Sequence, residues 1–433
     1  MEKGMAESFF DITEYGAVPD GKTLCTKAFE QAVSAAAECG GTVRVPEGTF
    51  LTGAVFLKSN MKLYLAEGSV ILGTNEESEY PIVESRVAGV EMSWPAALLN
   101  VRDGENVVIY GEGCLDGQGE YWWKKYWGED RKGGMRAAYE KEGLRWAVDY
   151  DCFRVRNIQI FRCKNVKLEG FTSRRPGFWN VHLCYSSELL VSGLTICDGM
   201  GPSTDGVDID SCQGVVVEKC KISCNDDSIC LKSGRDADGL KVNRVCENVV
   251  IRDNLLLEGA GITLGSETSG GIRNVEIKNN RFVGTRNGFR LKSAKTRGGV
   301  LENIRVEALE MENVHSVFSF EFNWNPSYSY CEVPEGYRGE VPEYWHRMAE
   351  KVPEKLGIPR ARNFTVNGVR SVITPEYAMQ EEPEAFHICG LEEAPFEDIH
   401  FSDMDLQAES FGCIENVTDF TMEGVRVKVG KYR

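Results

Sequence analysis

A short strand-like run, opened in most copies by Asn, Asp or Gly and followed by a polar turn, recurs along most of this chain. Its copies include Asn106-Val107-Val108-Ile109, Asn165-Val166-Lys167-Leu168, Glu188-Leu189-Leu190-Val191, Gly214-Val215-Val216-Val217, Asn248-Val249-Val250-Ile251, Asn274-Val275-Glu276-Ile277, Asn303-Ile304-Arg305-Val306, Asn363-Phe364-Thr365-Val366 and Asp398-Ile399-His400-Phe401. From Val166 the second residues of successive runs lie 23, 26, 34, 26 and 29 residues apart, the repeat of one coil. A run this short cannot bury its inner face alone. Coils stacked on one another form continuous parallel sheets around a narrow apolar core. The pattern therefore predicts an all-β, single-stranded right-handed parallel β-helix, a solenoid forming one domain over 1–433. Leucine-rich repeats would need a stricter leucine spacing, and propellers four strands per blade.

An open solenoid end exposes strand edges and core. Lys27-Ala28-Phe29-Glu30-Gln31-Ala32-Val33-Ser34-Ala35-Ala36-Ala37 is Ala-rich and amphipathic, and Gly40-Gly41 supplies a helix stop. A short capping helix is predicted over 26–39, inside an N-terminal cap and first coils at 9–75. Two stretches break the rhythm as loop insertions: 121–150, with Trp122, Trp123, Trp127 and Trp146, and 323–360, with Tyr344-Trp345-His346. Long loops in a repetitive scaffold are usually functional, and aromatic ones suit the flat faces of sugar rings. The alternative is that these aromatics cap the solenoid.

Composition excludes several classes of function. With 49 basic against 66 acidic residues the chain carries a net charge of -17, a surface that repels nucleic acid. A charged polymer would have to meet a local basic patch, whereas a short oligosaccharide or a neutral glycoside would not. No window approaches the ~18 to 20 apolar residues of a membrane span. Residues 1–8 lack the apolar core of a secretory signal. The 15 cysteines are scattered and odd in number, so they read as buried free thiols in a reducing cytoplasm rather than as a disulfide framework. Oligomeric state stays open.

The candidate chemistry lies in acidic residues crowded into a short region. Asp205, Asp208 and Asp210 fall in Ser203-Thr204-Asp205-Gly206-Val207-Asp208-Ile209-Asp210, and Asp226 and Asp227 in Cys224-Asn225-Asp226-Asp227-Ser228. The step from Asp205 to Asp226 is close to one coil, so carboxylates at the same phase share a face. Crowding like charges raises at least one pKa, which is how a carboxylic acid keeps its proton near neutral pH. Glycoside hydrolysis needs such a pairing, an acid for the leaving oxygen and a base for water. Asx side chains also cap turns, a role open to Asp208 and Asp210.

Ser203-Thr204-Asp205, Asn225-Asp226-Asp227-Ser228, Gly259-Ala260-Gly261 and Arg290-Leu291-Lys292 resemble, in order, the four motifs of glycoside hydrolase family 28, the polygalacturonase family. Asp116-Gly117-Gln118-Gly119 before Trp122-Trp123, and Gly265-Ser266-Glu267 before Gly270-Gly271, resemble its exo-acting bacterial branch. The resemblance runs from about Phe9 to the C-terminus. It implies Asp226 as general acid, with Asp205 and Asp227 activating the attacking water and inverting the anomeric carbon. Arg290 and Lys292, alternate residues on one strand face, resemble the basic pair that holds a galacturonate carboxylate. Trp179 and His182, one coil before Asp205, resemble sugar contacts of exo-acting members. Glu267 and Asp208 are further substrate-binding candidates, each with a turn-capping alternative. The resemblance implies no cofactor and no metal.

Two positions depart from the family pattern. Ser203 replaces an Asn, and either residue can hydrogen-bond a turn. Ala260 stands where the family has its active-site histidine, so galacturonate does not follow automatically as the substrate. The leading expectation is an inverting, exo-acting glycosidase acting on pectic oligosaccharides or plant glycosides, with galacturonate as the default terminal sugar. Xylose, rhamnose or apiose is the neutral alternative. A β-helical polysaccharide lyase and a non-catalytic carbohydrate-binding protein remain as other classes.

Overall fold

The computed structural model describes residues 8–430. Residues 1–7, most of the segment on which the expectation of a non-exported chain rests, lie outside the described residues. The chain winds into a right-handed parallel β-helix. A typical coil runs from Lys164–Glu169 through Thr172–Arg174 to Val181–Cys184. Each of these strands pairs in parallel with its counterpart in the next coil. Three strand stacks result, and the third contains 11 strands, from Val55–Leu57 to Ser410–Glu415.

The residue that opens each repeated run explains the Asn, Asp and Gly preference. It turns the chain through the left-handed region, with φ of 57° at Asn106, 53° at Asn165, 67° at Gly214, 59° at Asn303 and 56° at Asp398. Gly, Asn and Asp enter that region at least cost. Stacked turns bring their side chains into register. Asn165 Nδ2 donates to Asn106 Oδ1 at 2.8 Å, Asn303 to Asn274 at 3.0 Å and Asn363 to Asn303 at 2.7 Å.

Inward-facing residues of all three stacks form one hydrophobic core running from Ile12 to Ala408. Toward the C-terminal end it is filled by stacked rings, with Phe318 5.7 Å from Phe386 and 5.0 Å from Phe401. The predicted cap is a helix at Thr26–Cys39, burying Ala28, Phe29, Ala32, Val33 and Ala36. Fully burying a side chain such as Phe29 or Val33 stabilises the capped end by about 1.5–3 kcal/mol. Gly40, at φ 68°, stops the helix by donating its N–H to the Ala36 carbonyl.

Outside the coils the structure departs from the sequence reading. An antiparallel hairpin, Ile82–Val87 with Val90–Pro95, stands off the solenoid and was not expected. The insertions are partly helical, with Glu120–Trp127, Gly134–Lys141 and Val148–Asp151 in the first and Pro326–Ser329, Glu343–Met348 and Glu354–Gly357 in the second. Their tryptophans were expected to offer ring faces to sugars, yet Trp122, Trp146 and Trp345 are each only 1% exposed. Trp146 and Trp345 pack edge to face at 5.2 Å in a second core that also holds Trp94, Tyr150 and Phe178. Trp146 and Trp345 join hairpin and insertions into a lid, whereas Trp324 of the second insertion lines the pocket over the third sheet.

Arg235 ties the lid to the coils. Its guanidinium donates to Tyr150 Oη at 2.7 Å and to the Tyr328 carbonyl at 2.6 Å, and its backbone N–H donates to Gly89 at the hairpin turn. Gly89 lies at φ 84°, and a Cβ there would meet Arg235 Cβ and Glu267 Cγ at 2.6 Å, so only glycine fits.

Candidate active site

The third sheet and the turns entering its strands carry the predicted chemistry. Val207 pairs with Ile229 and Ile229 with Ile262. Asp205, Asp227 and Ala260 each precede those residues by two positions, so Asp205 stacks on Asp227, not on Asp226 as the one-coil spacing alone indicated. Farther along the strands the outward row runs Asp208, Cys230, Thr263, Arg290, and Asp210 pairs with Lys232.

Asp227 is buried within a cationic corner. Lys292 Nζ lies 2.7 Å and Arg290 Nη1 3.7 Å from its carboxylate, and Thr263 Oγ1 donates to it at 2.8 Å. Burial works to raise its pKa, but Lys292 and Arg290 outweigh burial and hold it well below the usual carboxylate range. Asp205, 3% exposed, shows the opposite balance. Burial and then the carboxylates of Asp208 and Asp226 push its pKa well up, against the pull of Lys232. Carboxylate oxygens of Asp205 and Asp227 approach within 4.8 Å. Asp226 is less buried and accepts the Asp227 N–H at 3.0 Å.

A pocket of about 300 Å³ opens over these groups, lined by Asp205, Asp226, Asp227, Lys292, Glu267 and Trp179 among others. Ligand pockets commonly start at about this size. A larger cavity of about 510 Å³ lies elsewhere, bounded by Glu84, Glu91, Arg162 and Arg347, and contains none of these aspartates.

Trp179 and Glu267 reach the pocket as expected, and Arg290 stands beside it against Asp227. His182 and Asp208 do not line it. His182 is 0% exposed beneath Trp179, ring centroids 4.9 Å apart, with Nε2 3.5 Å from Asp210. Burial and the neighbouring Arg156 lower its pKa to about 4. It supports Trp179 from below and cannot touch a sugar, because the sheet's outward row is covered there. Asp208, also 0% exposed, lies beneath Lys232, whose Nζ is 3.5 Å away. Burial pushes the Asp208 pKa up to about 7 against Lys232.

Lys232 escaped the sequence reading. Its ammonium joins Glu267 at 3.1 Å, Asp208 at 3.5 Å and Asp205 at 3.8 Å. The available signal was a lone charge closing the apolar strand Ile229-Cys230-Leu231-Lys232, one register step from Asp210. The lid contributes Ala88, Arg145, Asp149, Trp324 and Tyr328 to the lining. Nothing periodic marks these residues.

Residues 41–334 match the family model described as glycosyl hydrolases family 28. The chain belongs to that family. A probable polygalacturonase of Vitis vinifera is 30% identical over 72% of this chain, a match spanning 62% of that relative's length. An exo-poly-alpha-D-galacturonosidase of Dickeya chrysanthemi is 26% identical, covering 94% of this chain and 73% of its own. Among solved structures, a hyperthermoactive exopolygalacturonase from Thermotoga maritima superposes with a TM-score of 0.79 at 28% identity, covering 98% of this chain and 92% of its own.

The family 28 motifs at Asp205, Asp226-Asp227 and Arg290 to Lys292 thus converge on one corner of this solenoid. At the third motif, Ala260 is 0% exposed and its N–H donates to the Asp226 carbonyl. The Ala260 backbone thus holds the Asp226 turn, while its methyl group offers no ring to the pocket.

Proposed function

We propose that this chain is an inverting, exo-acting glycosidase that removes one terminal sugar, galacturonate by default, from a pectic oligosaccharide or plant glycoside. The pocket of about 300 Å³, set between three aspartates and a lid, is the observation that carries this reading. Asp226, open to the pocket, donates a proton to the leaving oxygen. Asp227, kept ionised by Lys292 and Arg290, orients the attacking water. Asp205 accepts the water's proton, since burial and its carboxylate neighbours raise its proton affinity. Asp205 and Asp227 oxygens within 4.8 Å are close enough for one water to hydrogen-bond to both. Trp179 lines the sugar-binding pocket with its ring held by stacking on Phe178 at 5.0 Å. A lyase that held calcium on Asp227 would have to displace an ammonium already 2.7 Å away, which favours hydrolysis.

One observation favours a neutral terminal sugar as the second reading. Lys292 and Arg290 are engaged by Asp227, and Arg145 is engaged by Asp149 at 2.7 Å, so less cationic charge is left for a substrate carboxylate. We also propose a reducing, cytoplasmic setting, supported by 15 free cysteines. Trigalacturonate and aryl glycosides of xylose, rhamnose and apiose, followed by product chromatography, test the function. From longer oligogalacturonates, galacturonate and the chain shortened by one residue are expected as the only early products. Dimers released from the interior of longer chains would defeat the exo reading, and turnover confined to a neutral glycoside would install the second one.

A further inference from the structure

Beyond the hydrolytic site, the outward face of the third sheet carries a second set of donor side chains near its C-terminal end. We propose that His387, Cys389 and Cys413 bind a thiophilic divalent cation, zinc by preference, and that this ion fastens the last strand of the third sheet to the one before it.

The fold brings these residues together by register. His387 in Glu384–Cys389 pairs directly with Cys413 in Ser410–Glu415, and Cys389 lies two residues beyond His387 on the same half-exposed face. Cys389 Sγ and Cys413 Sγ are 3.3 Å apart, and Cys413 Sγ is 3.8 Å from His387 Nδ1. All three donor atoms lie within 4.8 Å of one another. Tetrahedral zinc, with Zn–S of about 2.3 Å and Zn–N of about 2.0–2.1 Å, sets S···S near about 3.8 Å and S···N near about 3.6 Å. To reach that arrangement Cys389 and Cys413 part by about 0.5 Å, Cys413 and His387 approach by about 0.2 Å, and Cys389 and His387 close up from a separation within 4.8 Å. Glu384 Oε1, 3.8 Å from the same imidazole nitrogen, is an oxygen donor for the fourth position, with water the alternative.

These thiols differ from the core cysteines. Cys163, Cys220 and Cys246 each give their S–H to backbone carbonyls inside the solenoid. Among the described residues, the hydrogen-bond partners of Cys389 and Cys413 are only each other and His387. A disulfide is disfavoured by the register. Cys389 sits diagonally from Cys413, one strand over and two residues along, a Cα separation of roughly 8 Å from the strand spacing and rise. Disulfides rarely span more than about 7 Å.

The place matters because this end of the solenoid has no counterpart of the N-terminal capping helix among the described residues. Phe411 is 42% and Val429 47% exposed there, and Ser410–Glu415 is the edge strand of the third sheet. An ion bridging the last two strands would oppose fraying of that edge. At free zinc a hundred times its Kd, opening of the last coil is suppressed about 100-fold.

The test uses the full chain, reduced, stripped with chelator and titrated with zinc or cobalt alone. One equivalent of zinc is expected, with thiolate-to-cobalt charge-transfer absorption and slower amide exchange in 384–415. Cys389→Ser and His387→Gln should each abolish the absorption, while Cys39→Ser keeps it and hydrolysis is unchanged in all three. Absence of the charge-transfer band, binding that survives both variants, or a chain prepared without reductant whose mass is lower by two hydrogens would overturn the proposal. The readouts are independent of turnover, so failure of the hydrolytic reading leaves this site untouched.

Discussion

The coils and the lid both wall the pocket, but they are built on different physics. Coil residues reach it by register: Asp205 and Asp227 recur at one offset before paired strands, held by backbone ladders through the solenoid. Lid residues reach it through a separate aromatic core and a few buried ties such as Arg235 to Tyr150 and Tyr328. Periodic segments therefore place the pocket's aspartates, and aperiodic ones close it on the lid side. Chemistry and ligand length should be separable by mutation.

The largest expected effect tests the coil side. Asp226→Asn should lower kcat by about 10²–10⁴-fold, the usual worth of a general acid, with Tm unchanged. Steady-state kinetics on the best glycoside and a thermal melt check this, and undiminished turnover would remove Asp226 from its role. Next comes the lid. Arg235→Ala takes the charged donor from the buried Tyr328 carbonyl, while Asp236 keeps Thr296 and Arg297, and should cost about 1–3 kcal/mol locally. Limited proteolysis should cut 121–150 and 323–360 first, and KM should rise more than kcat falls. Equal losses of both would mean that the lid also positions the catalytic groups.

A comparable effect, conditional on pH, is expected from His182 under Trp179. Its pKa is lowered to about 4 in the folded chain, against about 6.5 when unfolded. Between those values the unfolded chain binds a proton that the folded chain refuses, so stability falls as pH drops through this window. From about pH 6.5 to pH 5 the loss is about 2 kcal/mol. Urea unfolding at the two pH values should show it, and His182→Gln should flatten the dependence. The subtlest expectation concerns Lys232, which opposes the raised pKa of Asp205. Lys232→Met should move the acid limb of kcat/KM to higher pH. A shift to lower pH would mean that Asp205 does not act as the base.

The coils were legible because their rules are local. A left-handed turn selects Asn, Asp or Gly, and burial of one strand face selects alternating Val, Ile and Leu, so repeat and capping helix could be read from residue order. The aspartates were legible for the same reason, although the exact stacking partner of Asp205 depended on register, which spacing alone misassigned by one residue. His182 and Asp208 misled because phase along a strand says which face a side chain takes, not whether another side chain covers it. Trp179 and Lys232 cover them. The hairpin turn at Ala88 and the pocket-facing Arg145 and Tyr328 depend on tertiary contacts between segments far apart in sequence, which leave no period.

The anomeric configuration of the first-formed sugar, followed by proton NMR during the first turnovers, is the most direct test of Asp226 acting as acid while Asp205 and Asp227 share one attacking water. Direct attack by that water predicts a product whose configuration is opposite to that of the glycoside. A product that first appears with the substrate's own configuration would contradict it, because retention requires a carboxylate to bond to the sugar.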